Sequence, residues 1–168
     1  PVGGAPGERP GERARGADAS PPQSLDEMLA GVDLGRSEGP GRGHTLQRHV
    51  DVDDRHLRER LTLGTLDPGT GRRGGRPPAA SRWADLATAE RTVTAALRAH
   101  EAEVRRALAG GGRITLEVPV DASAGTVLVR DGPGVRPVPA HRAVVVLHRD
   151  PAGHPHVLTA YLDRERAR

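Results

Sequence analysis

The sequence predicts an α+β fold, with N-terminal helices packed on a mainly antiparallel sheet. Three observations carry this. Leu86, Val93, Leu97, His100, Val104 and Leu108 recur at spacings that place them on one face of a long helix. After Gly110-Gly111-Gly112 the period falls to two, and Ile114, Leu116, Val118 and Val120 alternate with polar or small residues. Helices first and strands afterwards is the order of an α+β domain, not of a parallel α/β sheet.

Taken in order, residues 1–43 hold 10 glycines and 6 prolines and carry 5 arginines against 7 acids. Such a stretch has little apolar surface to offset the entropy of ordering. Residues 1–33 therefore read as a Gly/Pro-rich linker containing one short helix. Its signal is Ser24-Leu25-Asp26-Glu27, the spacing of a capping box, followed by Met28-Leu29-Ala30 and Gly31. Two turns would be marginal alone.

The folded domain is placed at 34–168. His44–Val50 is short and reads as either a helix or a turn. Asp53 or Asp54 caps a helix to about Leu63, with Leu57 and Leu61 one turn apart. Residues 64–80 have the composition of a loop. Asp85 caps the long helix. Four strands follow, at Ile114–Val120, Thr126–Arg130, Arg142–His148 and His156–Leu162, with Asp150-Pro151-Ala152-Gly153 as the turn before the last.

Composition excludes several classes. The chain has no cysteine, hence no disulfide scaffold and no cysteine-ligated zinc. No apolar run is long enough for a transmembrane helix or a signal-peptide core. All 25 basic residues are arginine, Phe is absent, and Trp83 and Tyr161 are the two aromatics. The first residue is Pro1 rather than methionine, which suggests a piece of a longer polypeptide. Phosphate-binding glycine loops, a nucleophile elbow and HExxH are all missing.

Two clusters could carry chemistry. On the last strand Thr159 and Tyr161 share one face, with hydroxyls about 7 Å apart. Thr and Tyr are equally ordinary strand formers on a solvated face. The second cluster is His44, His49 and Arg60, which could supply a base, an acid and a phosphate clamp. The basic loop Arg72-Arg73-Gly74-Gly75-Arg76 could touch a polyanion, although such runs are commonly just solvated.

Gly43-His44-Thr45-Leu46-Gln47-Arg48-His49-Val50, then Arg60-Leu61, then Ser81-Arg82-Trp83-Ala84-Asp85-Leu86, then Val157-Leu158-Thr159-Ala160-Tyr161 form an ordered series. Over about residues 34–162 this series resembles the bacterial ribonuclease A-like toxin domain. That family stands at the C-termini of contact-dependent growth-inhibition proteins and other polymorphic toxins. The resemblance implies a ribonuclease A-like fold without disulfides and a metal-independent endoribonuclease needing no cofactor. It implies a catalytic set of His49, Arg60, Thr159 and Tyr161, with His44 as a possible accessory. It also implies an RNA substrate, tRNA or total RNA, and a cognate immunity protein, expected to be acidic. The domain would be secreted within a larger toxin and act in the target-cell cytoplasm. Arg42, Asp51 and Ser37 depart from the family pattern. Two rivals remain open: an ADP-ribosyltransferase-like toxin, disfavoured because Glu165 lies in the tail, and a catalytically silent RNA- or protein-binding module.

Overall fold

A computed structural model describes residues 20–39, 41–67 and 69–168. It has helices and two three-stranded antiparallel sheets, so the α+β architecture holds. Most of the stretch read as linker, residues 1–19, lies outside the described residues.

The short helix forms as α1 (Leu25–Ala30), with the Ser24 hydroxyl accepting from the Glu27 N–H at 3.2 Å. Packing holds it where propensity could not. Met28 is fully buried in the main core, and Arg98 of the later helix donates to the carbonyls of Leu29 and Ala30. A 3₁₀ turn (Leu34–Ser37) and a π-helical turn (Leu46–Val50) follow, then α2 (Asp54–Leu63). Asp53 is the α2 cap, its carboxylate accepting from His56 N–H at 2.8 Å.

The expected long helix is two helices, α3 (Leu86–Ala99) and α4 (Glu101–Ala109). His100 is the break, with φ −119° and ψ 26°, outside helical space. It is a half-buried junction residue beside Glu103, outside the fully buried stripe. Leu86 is likewise 40% exposed. Ala89, Val93, Ala96 and Leu97 of α3 and Val104 and Leu108 of α4 form the buried face.

Among the described residues six strands form where four were expected. The additions are β1 (Ala79–Trp83) and β4 (Gly134–Val138); the others are β2 (Ile114–Pro119), β3 (Gly125–Asp131), β5 (Arg142–Arg149) and β6 (Pro155–Asp163). One sheet has the order β1-β3-β4 and the other β2-β5-β6. β1 escapes a sequence reading because its apolar signal is Ala-Ala behind two prolines, with no β-branched residue. Pairing with β3, Ala79 to Val129 through Trp83 to Gly125, makes it a strand. β4 carries Pro137 and is an edge strand, where a missing N–H costs no ladder bond.

The sheets meet along β1 and β6 without a backbone ladder between them. Side chains join them instead. The buried Trp83 indole N–H donates to the Ala160 carbonyl at 3.0 Å, and the Leu162 N–H donates to the Ser81 hydroxyl at 3.1 Å. Farther along the same edge of β6, the N–H groups of Ala160 and Val157 donate to the hydroxyls of Thr45 and Ser37. The His44 N–H donates to the Leu158 carbonyl at 3.1 Å. An open strand edge has thus been satisfied by four side chains and one amide drawn from three earlier segments. A smaller core of Leu57, Leu61, Ala80 and Leu128 seats α2 on the first sheet.

Candidate active site

A cleft of about 370 Å³ opens where the sheets meet. It is lined by His44, Arg48, His49, Arg60, Thr159 and Tyr161, together with Ser81 and the Asp163–Glu165 segment. All five residues expected from the sequence lie on this one cleft. Each arrives by a different local device.

The segment bearing both histidines is docked on β6 by Gly43. A Cβ there would overlap the Val157 carbonyl and crowd the Ser37 carbonyl, so only glycine fits. The π-helical turn then closes through Asp51 N–H to the Leu46 carbonyl at 2.8 Å. Glu38 accepts from the Leu46 N–H at the start of this turn at 2.8 Å. Burial raises its carboxyl pKa against the opposing backbone hydrogen bonds. The Ser37 hydroxyl accepts from the Val157 N–H on the β6 edge at 3.2 Å.

His49 is 7% exposed. Its Nδ1 lies 3.3 Å from the Ser81 carbonyl, which can only accept, so the proton sits on Nδ1 and Nε2 keeps its lone pair. Its ring centroid is 5.8 Å from that of Tyr161 and 6.5 Å from that of His44. Burial first, and the Arg60 guanidinium second, lower the His49 pKa to about 3. Burial and the guanidinia of Arg48 and Arg60 lower His44 to about 4. Both rings are therefore neutral at neutral pH.

Arg60 projects from α2 beside the buried Leu57 and Leu61, and its Nη1 donates to the Arg48 carbonyl at 3.3 Å. Its Nε is buried with no partner. Among the described residues neither Arg60 nor Arg48 forms a salt bridge, whereas Asp163 and Glu165 are both held by Arg142. The acids at the cleft are neutralised, whereas Arg48 and Arg60 carry no paired carboxylate among the described residues. Burial and the nearby Arg48 lower the Arg60 pKa, a strain that a bound anion would relieve.

Thr159 follows a β-bulge. Val146 pairs with Thr159 and Leu147 with Val157, leaving Leu158 as the extra residue. The Thr159 hydroxyl is buried and has no partner. Burial raises the Tyr161 pKa, so its hydroxyl stays protonated at neutral pH. Arg48 and Ser81 are contributors that the sequence reading quoted without assigning a role. Nothing local marks a serine carbonyl 32 residues from His49. Among the described residues no group of three or more His, Asp or Glu is arranged to hold a metal ion.

The family model described as the bacterial CdiA-CT RNase A domain matches residues 43–161, which include every residue of this set. The chain belongs to that family. This CdiA-CT RNase A domain shares its fold with a solved relative, a CdiA-CT/CdiI complex from Y. kristensenii 33638. The TM-score is 0.54 and the identity 23%, over 72% of this chain and 99% of that one. No curated protein matches the chain. The ribonuclease A-like toxin fold without disulfides is thus established for the CdiA-CT domain.

Proposed function

We propose that this domain is a toxin endoribonuclease that cleaves RNA by attack of the 2′-hydroxyl on the adjacent phosphate. The observation that carries this reading is the convergence of a neutral, tautomer-fixed His49, an unpaired Arg60 and an unpartnered Thr159 hydroxyl on one cleft. RNA brings its own nucleophile, so the catalyst must remove one proton, supply another and stabilise phosphorane charge. His49 Nε2 takes the 2′-proton, and the Nδ1–H···O=C bond steadies the imidazolium that forms. Arg60 forks onto the phosphoryl oxygens, and the Thr159 hydroxyl donates to them. The leaving 5′-oxygen takes its proton from the Tyr161 hydroxyl, which flanks His49 and stays protonated at neutral pH. The products are a 2′,3′-cyclic phosphate and a free 5′-hydroxyl. Each role is filled by a side chain, so the mechanism is independent of metal.

The test is cleavage of tRNA or total RNA with excess EDTA. Activity should persist with chelator and fall roughly 10²–10⁴-fold in His49→Ala. Loss with EDTA, or full activity in His49→Ala, overturns the mechanism. The domain is proposed to act in the target-cell cytoplasm after delivery within a larger secreted protein. In the producing cell, we infer, an acidic immunity protein covers the cleft, meeting the unpaired Arg48 and Arg60.

A further inference from the structure

The basic loop after α2 is ordered around a second cavity. Asp67 N–H donates to the Arg72 carbonyl and Gly74 N–H to the Thr65 carbonyl, each at 2.8 Å, and Leu66 and Arg73 pair as antiparallel partners. This places the Leu66 and Arg73 side chains on the wall of a cavity of about 140 Å³. Gln47 and Thr65 add an amide and a hydroxyl, and Val52 an apolar surface. Arg48 and Arg60 line both this cavity and the catalytic cleft. They form a shared wall, and among the described residues no carboxylate is paired with either. Glu59 also lines the cavity; it lies 4.0 Å from Arg73, whose other amino group donates to the Gly64 carbonyl. Three guanidinia thus line the cavity with one carboxylate, and the Asp67 carboxylate on the same loop lies within reach of the Arg48 charge. Beside them Leu66 is 47% exposed, an uncovered apolar side chain at a basic wall.

We propose that this second cavity is a subsite for the nucleotide flanking the scissile one. Its phosphate is held by Arg48, Arg60 and Arg73, and its base lies against Val52 and Leu66. The proposal rests on the ribonuclease reading above. Its chemistry is that of single-stranded RNA binding: cations along the backbone and a nonpolar or guanidinium plane for the base. In a chain with no Phe and with Trp83 buried, leucine and arginine provide that plane. The domain would therefore act on oligonucleotides better than on the minimal dinucleotide.

Two substrates with the same single cleavable step, a dinucleotide and a hexanucleotide whose other riboses are 2′-O-methylated, test this. The wild type should cut the hexanucleotide with the higher kcat/KM. Arg73→Gln should lower that value about tenfold, from loss of one charge-assisted contact, and leave the dinucleotide within about twofold. Leu66→Ser, at an exposed position that folding does not need, should lower it roughly threefold on the hexanucleotide alone. With Arg73→Gln the salt slope of log kcat/KM on the hexanucleotide should fall by about 0.7. Variants that cut both substrates like the wild type overturn the proposal. Fluorescence anisotropy with an all-deoxy hexanucleotide reads binding without cleavage: weaker binding by Arg73→Gln supports the subsite, and unchanged binding overturns it. A wild type that binds this probe through Arg73 yet cuts no RNA overturns the ribonuclease function and still supports the subsite. If Arg73→Gln weakens only binding of the immunity protein, the cavity is a protein contact and the proposal fails.

Discussion

The proposed chemistry turns on how one imidazole is held. A histidine in water titrates near 6.5 and would be partly charged at neutral pH. His49 is instead buried against Ser81 and faced by Arg60, and its pKa falls to about 3. A general base must be neutral, and activity is lost as pH falls through its pKa. The acid limb of kcat/KM, which reports the free enzyme, is therefore predicted to lie below about pH 5 rather than near 6.5. The acid limb of kcat should lie higher, because a bound phosphate anion favours the imidazolium. Rate profiles from pH 4 to 8 check both, and a kcat/KM limb at 6.5 would contradict the burial. Thr159 and Tyr161 were legible as neighbours on one strand face from alternation alone. The Ser81 carbonyl was not legible, because a backbone acceptor has no residue signature.

Among the elements, β6 and the segment docked on its open edge decide the site. Thr45 is fully buried and its hydroxyl accepts the Ala160 N–H at 3.0 Å. Thr45→Val keeps the volume and leaves that N–H unsatisfied, at a predicted cost of about 1–3 kcal/mol. Gly43→Ala forces a Cβ into the Val157 carbonyl and should destabilise by about 2 kcal/mol or more. Both should reduce RNA cleavage as well as the urea midpoint, because His44 and His49 ride on this segment. Normal activity in a folded Gly43→Ala protein would show that the docking does not position the histidines. Helix starts were readable here, since Ser24, Asp53 and Asp85 each announce a cap. The break at His100 and strands β1 and β4 were not, because tertiary pairing rather than local propensity creates them.

At the scale of the molecule, three histidines lose basicity on folding. Burial lowers His44 to about 4 and, with Arg60, His49 to about 3, and it lowers His156, which is 1% exposed with both ring nitrogens unpartnered. The unfolded chain takes up these protons near pH 6.5, and the folded chain does so only lower. Between those values the unfolded state binds more protons, so stability rises with pH and falls on acidification from about 6.5 toward 4. The depressed carboxylates of the caps Asp53 and Asp85 act in the same direction, but only below about pH 4. The urea midpoint should therefore drop steadily from pH 7 to 4.5, and His156→Leu should flatten that slope. A midpoint constant across the range would contradict it.

The bonds that close the open edge of β6 span 77 to 120 residues of chain. They are among the longest-range side-chain bonds of the described residues, and they form only when distant segments have met. The groups that would cut RNA depend on the same bonds, so no fragment and no half-folded intermediate contains a working cleft. The weapon is unarmed while it is extended. Its potency is a property of completed topology, which separates the hazard of making the chain from the hazard of finishing it.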